Sequence, residues 1–198
     1  MENYDIVICG GSLGGTLAAY SASKSSKKVV LLEETKWIGG QLTSQAVPPD
    51  EHKWIETEGC TKTYRDFRNK VRDYYVNNPN FKRTITDKKE IKNISDMTFC
   101  PASSEVSRLS HPPLLALRFL NEMLEPYVNK NLTIYTEVKL LSCKCDSDRI
   151  SSVKYLINGK KVEFKGKIFL DATRGTYSCH AMHVHAVWAQ ILTSVSEI

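Results

Sequence analysis

The sequence predicts an α/β fold organised around a parallel sheet, and three observations carry that expectation. An apolar run at residues 4–9 ends in Gly10-Gly11. A proline-free, alanine-rich segment at 13–25 follows it. A second apolar run, Val29 to Leu32, closes on Glu33 and Glu34. Strand, glycine turn, helix and strand within about 30 residues make a βαβ unit, whose strands are parallel and whose crossover is right-handed.

Each element has its own local reason. Continuous apolar character at 4–9 and 29–32 marks strands buried on both faces. Leu17, Ala18, Ala19 and Ala22 give the intervening segment helical character, and small side chains let that helix lie close to a sheet. Tyr64, Phe67, Val71 and Tyr74 recur at helical spacing until Asn77-Asn78-Pro79 stops them. Residues 81–101 show no period. Pro112-Pro113 opens a further helix over 114–127, where Leu114, Leu117, Phe119, Leu120, Met123 and Leu124 predict a mostly buried element. From Leu132 the texture turns to β. Strands are expected at 132–138, 140–145 and 150–157, with a turn at 146–149 between the last two. Asn158-Gly159 is a hairpin signal that returns the chain through 161–164. A short buried strand at 168–170 then ends in Asp171-Ala172-Thr173.

Composition narrows the class. The chain has 198 residues, 41% hydrophobic and 25% charged, the mix of an ordinary globular protein. It lacks any uninterrupted apolar stretch of about 18 residues, so no membrane partner is expected. The formal charge of +5 is local: Lys53 to Lys92 hold 11 basic and 6 acidic residues, and the remainder is balanced. This window reads as a solvated helix face, and it lacks the interleaved aromatics of a nucleic-acid groove. The six cysteines form no C-x-x-C pair, and no leader precedes the apolar run 6–9. A reducing, cytoplasmic setting with free thiols is therefore expected. Cys179, His180, His183 and His185 lack a scaffold that would make them a metal site, and no metal is expected.

The central motif is Gly10-Gly11-Ser12-Leu13-Gly14-Gly15 between strand and helix. Against G-x-G-x-x-G, Gly10 permits the tight turn and Gly15 lets the helix sit on the strand. Ser12 replaces the middle glycine; its hydroxyl can donate to a phosphate oxygen or cap the helix. Amides at the helix start, with the dipole behind them, suit an anion. Glu33, at the end of the second strand, stands where a carboxylate accepts the hydroxyls of an adenosine ribose.

These residues resemble the FAD-binding domain of the glutathione-reductase-like flavoproteins. Trp37-Ile38-Gly39-Gly40 matches their second glycine pair, and KIFLDATRG at 167–175 is similar to their Ala-Thr-Gly strand, with Arg174 at the glycine position. More narrowly, GGQLT at 39–43, AVPPDEH at 46–52, GCT at 59–61 and FLDAT at 169–173 resemble an uncharacterised bacterial FAD-dependent oxidoreductase family. The resemblance implies a Rossmann-like FAD-binding domain with a parallel sheet, a three-stranded β-meander and a helical insertion. It divides the chain into a dinucleotide-binding unit (1–43), a helical insertion or cap (44–130), a segment of core strand, meander and DAT strand (131–175) and a divergent tail (176–198). It implies FAD as cofactor, with Gly10, Gly11, Ser12 and Gly15 at the pyrophosphate and Glu33 at the ribose. Gly39, Gly40 and Gln41 would run near the flavin end, Val138 beside adenine and Thr173 along the cofactor path. The implied reaction is hydride transfer from a small organic substrate to the flavin. No acid or base is fixed; His52 is a weak candidate, and a surface loop histidine is the plainer reading of it. His111 reads the same way, and Cys60 reads as a buried thiol. Trp54, Tyr64, Phe67, Tyr74 and Tyr75 read mostly as core.

The family resemblance also implies a late Gly-Asp strand, which 176–198 does not contain, so a C-terminally truncated product is expected. Two alternatives stand beside the flavoenzyme: an inactive or regulatory protein of the same fold that no longer binds FAD, and an NAD-binding dehydrogenase domain. The sequence leaves the substrate and oligomeric state open.

Overall fold

A computed structural model describes residues 2–78, 98–102, 104, 107–146 and 149–173. Residues 147–148 of the turn expected at 146–149, residues 81–97 of the aperiodic stretch 81–101 and the tail beyond 173 lie outside these.

The expected βαβ unit is present. Strand β1 spans Glu2–Cys9, helix α1 Leu13–Lys24 and strand β2 Val29–Leu32. Gly15, Thr16, Ala19 and Ser23 form the buried face of α1, so small side chains do bring it against the sheet. A single 3-10 turn at Gly40–Leu42 follows, then α2 at Lys62–Val76 and α3 at Pro113–Leu124. Thr61 caps α2 by accepting from the N–H of Tyr64 at 3.3 Å. Pro113 begins α3 because its missing N–H would have no partner there. Leu114 is an exception to the expected burial of this helix: it is 62% exposed, at the first turn and off the packed stripe of Leu115, Ala116, Phe119, Leu120 and Leu124.

The remaining strands are β3 at Leu132–Tyr135, β4 at Lys139–Asp146, β5 at Arg149–Ile157 and β6 at Lys160–Asp171. All six join one sheet in the order β3-β2-β1-β6-β5-β4. The four strands β3, β2, β1 and β6 are parallel; β5 and β4 extend the sheet antiparallel. Asn158 and Gly159 both take positive φ, 48° and 76°, which is the type I′ geometry the Asn-Gly pair favours.

One reading changes. The last meander strand and the DAT strand, expected as separate pieces, are a single strand. Residues 160–165 of β6 pair with β5, and 164–171 pair with β1. Gly166 lets the strand pass β1, where a Cβ would stand 2.8 Å from Val7. Ile168, expected to be buried, is 53% exposed because its side chain joins neither apolar cluster.

Two clusters sandwich the sheet. Ile8, Val29 and Leu31 meet Phe67, Val71, Phe119 and Leu120 of the helices. Their strand neighbours Val7, Cys9, Val30 and Leu32 point the other way, onto Val153, Tyr155 and Phe164. This two-sided burial explains the unbroken apolar runs of β1 and β2. Phe164 is fully buried and touches three aromatic rings, Tyr4, Tyr135 and Tyr155. No helix among the described residues is long and apolar enough to cross a membrane.

Phe164 lies where β6 exchanges partners, so its removal opens a cavity at the joint between meander and parallel sheet. Phe164→Ala is expected to cost about 3–5 kcal/mol, measured as a lowered midpoint in urea unfolding.

Candidate functional site

Parallel pairing brings the carboxyl ends of β1, β2, β3 and β6 to one edge of the sheet, where open α/β sheets place ligands. Backbone hydrogen bonds continue past the strands: Gly10 N–H donates to Leu32 O at 2.8 Å, Ala172 N–H to Cys9 O at 2.7 Å and Glu33 N–H to Tyr135 O at 2.8 Å. The glycine turn, the acid and the DAT segment therefore start from fixed positions.

Packing at the turn excludes side chains. Gly10 has φ +99°, and a Cβ there would sit 2.4 Å from the carbonyl carbon of Ala172. A Cβ on Gly15 would sit 2.1 Å from Gly10 O. Ser12, at the middle position, has φ −55°, a value any residue adopts. Its Oγ accepts from the N–H of Gly15 at 3.2 Å, so it caps α1. Thr16 Oγ1 donates to Gly11 O at 3.2 Å. Gly14 is the open position: a Cβ there would meet only Ser12 Oγ, at 3.8 Å.

Glu33 faces this turn and is buried. Its Oε2 accepts from the N–H of Gly11 at 2.5 Å, and its Oε1 accepts from Thr35 N–H at 2.8 Å and Thr35 Oγ1 at 2.5 Å. A carboxylate offers about four acceptor positions, and three are taken here, so capacity remains for one hydroxyl. The second glycine pair closes on the same place. Gly39 N–H donates to Gly11 O at 2.7 Å, and a Cβ on Gly40 would lie 3.0 Å from Ser12 Cα. Both glycines have positive φ. Gln41 is exposed in the adjoining 3-10 turn. Val138 is buried, and its N–H donates to Glu33 O at 3.2 Å. Thr173 donates to Asp171 Oδ1 through N–H at 3.0 Å and Oγ1 at 2.7 Å, next to the Ala172 that Gly10 abuts.

Direct contacts thus join Gly10, Gly11, Ser12, Gly15, Glu33, Gly39, Gly40 and Val138, with Thr173 one residue further out. His52 is held differently. Its Nδ1 accepts from Trp54 N–H at 3.2 Å, and its Nε2 stands 3.3 Å from Gly59 O, so its ring is fastened to its own loop. Beneath the site, burial pushes the Cys9 thiol up to about 11. A thiol so suppressed is not a nucleophile at neutral pH.

Sequence reasoning missed Thr35, which orients Glu33, and Asp171, which folds Thr173 into a turn. Short polar residues two apart at strand ends were the available signal. It also missed a buried charge network. Arg68 and Arg72 were part of the window read as a solvated face, yet both are fully buried on α2. Arg68 pairs with Glu51 and Glu56, and Arg72 grips both Glu56 oxygens at 2.9 and 2.6 Å. Arg72 Nε also donates to Phe99 O at 3.0 Å. Burial raises the Glu56 carboxyl, but the hydrogen bonds from Arg72 and Arg68 outweigh it and hold it below its ordinary range. The surrounding aromatics divide. Phe67 is buried, Tyr64 and Tyr75 are half-buried, and Trp54 and Tyr74 are exposed at 55% and 38%.

The family model for FAD dependent oxidoreductases matches residues 5–187. A digeranylgeranylglycerophospholipid reductase of Methanococcus vannielii is 30% identical over 83 residues, 41% of this chain and 20% of the relative. The chain thus spans about a fifth of the length of that curated relative. A geranylgeranyl bacteriochlorophyll reductase-like protein of Thermoplasma acidophilum superposes with TM-score 0.50 and 19% identity, over 87% of this chain and 40% of the other. A chain of the Mycobacterium smegmatis Sdh1 complex gives TM-score 0.52 and 11% identity, over 88% and 35%. These structures share the fold.

A depressed carboxyl stabilises the folded state above its unfolded value and ceases to do so as pH falls through its folded one. The Glu56 contribution should be present above pH 4.5, its ordinary value, and fade below that. Glu56→Gln, which removes the carboxylate that Arg72 grips and leaves Arg68 with Glu51 alone, should lower stability by about 3–5 kcal/mol and flatten the acid limb of a plot of unfolding free energy against pH.

Proposed function

Because the chain belongs to the FAD-dependent oxidoreductase family, we propose that it binds FAD through the ADP portion at the glycine turn, as the nucleotide-binding part of an enzyme that takes hydride from a small organic molecule. FAD is the cofactor that family membership assigns. The observation that carries the reading is the Glu33 carboxylate fixed at 2.5 Å from the Gly11 N–H, with acceptor capacity left over.

The residues suit the group. Gly14 leaves space at the helix start, and Gly10 and Gly15 admit no side chain. The amides there, backed by the α1 dipole, would hold the pyrophosphate. Glu33, set by Thr35, would accept from a ribose hydroxyl, and its charge would disfavour a 2′-phosphate. The Gly39-Gly40 backbone, pressed onto Gly11 and Ser12, would continue the binding path toward Gln41. Val138 beside Glu33 would flank the adenine, and Thr173 would line the path from the β6 side. When bound, the flavin supplies the two-electron chemistry, and the protein supplies position and electrostatics. His52 would be the loop candidate for proton handling near the flavin end. The unit 1–43 would carry the nucleotide, 44–130 the cap and 131–175 the opposite wall. Family membership favours this reading over an NAD-binding dehydrogenase domain or a regulatory protein without flavin. The cytoplasmic setting is part of the same proposal and rests on the cysteine content.

Titrating the purified chain with FAD, followed by quenching of flavin fluorescence, tests the reading. Saturable binding that NAD does not displace is expected. Glu33→Ala should weaken it at least tenfold, about 1.4 kcal/mol. Absence of saturable binding, or displacement by equimolar NAD, would reject it.

A further inference from the structure

The outer edge of the sheet carries a pair of thiols that the nucleotide crevice does not use. Cys143 and Cys145 lie two residues apart on β4, the strand at one end of the sheet order. Side chains two apart on a strand share a face. Here it is the face of the Val153, Tyr155 and Phe164 cluster. Cys143 stands opposite Val153 and packs on that cluster, and Cys145 stands opposite Ile150, which packs there too. Cys143 is half-buried, whereas Cys145, one residue from the strand end, is exposed. The two side chains meet, with Cys145 within hydrogen-bonding reach of the Cys143 thiol.

Strand geometry sets whether the sulfurs can be joined. Two residues of a flat antiparallel strand advance about 6.8 Å, the upper end of the Cα separations of about 4.4–6.8 Å that disulfides usually span. Strand β4 is not flat. Its register with β5 shifts between Leu140 and Ser142 and again between Lys144 and Cys145. Such irregularities add twist, and a twisted strand rises less per residue. The pair therefore falls inside the range, near its limit. A bond closed there is strained and readily reduced, which is the character of a reversible disulfide rather than a structural one.

The two thiols are suited to different steps. Cys145 is open to a reagent, and Cys143 stands behind it. Burial first, and then the charge and hydrogen bond of Cys145, push the Cys143 thiol up to about 12. It keeps its proton, 3.8 Å from the Lys144 carbonyl oxygen. Capping Cys145 as a mixed disulfide removes its charge, and that part of the restraint on Cys143 goes with it. Attack within one chain also needs no encounter. Cys9 shares the cluster, but it is buried and its thiol is suppressed, so it does not compete.

We propose that Cys143 and Cys145 are a reversible redox pair, at which a low-molecular-weight disulfide converts the two thiols into one intrastrand disulfide. The Cys145 thiolate attacks a sulfur of the reagent, breaking its S–S bond, forming the mixed disulfide and releasing one thiolate. Cys143 then attacks the Cys145 sulfur, loses its proton to water and expels the second thiolate. Two protein thiols are oxidised, and the reagent is reduced to two thiols. The site is independent of the flavin reading, because no step involves the glycine turn.

Treating the reduced full chain with oxidised glutathione, blocking the remaining thiols with N-ethylmaleimide and mapping the digest by mass tests it. Lys144 separates the cysteines, so trypsin leaves peptides 140–144 and 145–149 held together only by the new bond. The expected result is that linked pair, or an uncut 140–149 peptide lighter by two hydrogens, with no glutathione retained. An excess of reduced glutathione should reopen it. In Cys143→Ser, glutathione should instead stay on Cys145. In Cys145→Ser, glutathione should add to Cys143 slower by about tenfold or more. Unreacted thiols, a lasting glutathione adduct on Cys145 of the unaltered chain, a Cys9–Cys143 link, equal rates in the two variants or a bond that reduced glutathione cannot open overturns the proposal.

Discussion

The hydrogen bond from Gly11 to Glu33 ties the β1–α1 turn to the end of β2, and much of the molecule is arranged so that this bond can form. The turn has to lie against β6 on one side and β2 on the other. A Cβ on Gly10 would strike Ala172, and one on Gly11 would strike Glu33 itself at 2.9 Å. Thr35 then holds the second carboxylate oxygen, so the acid stays on the turn rather than swinging into solvent. Hydrogen bonds to a carboxylate are the stronger kind. Here they are made in a buried setting where a loose charge would be costly.

Everything that frames the crevice follows from the registers of the parallel strands. Cys9 stands opposite Leu32 and Asp171, so the loops leaving β1, β2 and β6 emerge together. The single long β6 makes this arrangement rigid. Its first half belongs to the antiparallel extension and its second half to the parallel core, with Phe164 packed at the change of partner. The meander is thus an extension of the sheet that carries the site, and its Tyr155 and Val153 cover the face of β1 and β2 turned away from the helices.

The fold was legible where one force dominated. Unbroken apolar runs fixed β1 and β2 to within two residues, and glycine at positions of positive φ fixed the turn. Ser12 was legible only in part. The sequence allowed phosphate contact or capping; the bond from Gly15 N–H shows the capping, which leaves the hydroxyl proton unused. The continuity of β6 was hidden because Gly166 reads as a break, yet it is where the backbone passes Val7. The charge network was hidden for a different reason. Arg68 and Arg72 sit beside Phe67 and Val71 on α2, and charge at such positions reads as solvated. Their counter-charges, Glu51 and Glu56, come from an irregular loop 12 to 17 residues earlier in the chain, and no period connects the two segments.

That network bears on the crevice through packing. Glu51 and Glu56 pull the loop onto α2, and Arg65 adds bonds to the carbonyls of Ile55 at 2.5 Å and Glu56 at 3.1 Å. Phe67 and Val71, on the same helix, share an apolar cluster with Leu120 of α3. Leu120 in turn closes against Gly39, where a Cβ would lie 2.5 Å from its Cδ1. The glycine pair laid over the nucleotide turn is therefore backed by α3, and α3 by the helix whose arginines are buried. Buried ion pairs add little net stability over apolar residues of the same size. Their use here is directional, since a guanidinium satisfied by particular carboxylates accepts only one placement of the loop. An apolar substitute would fill the space and leave that placement unspecified.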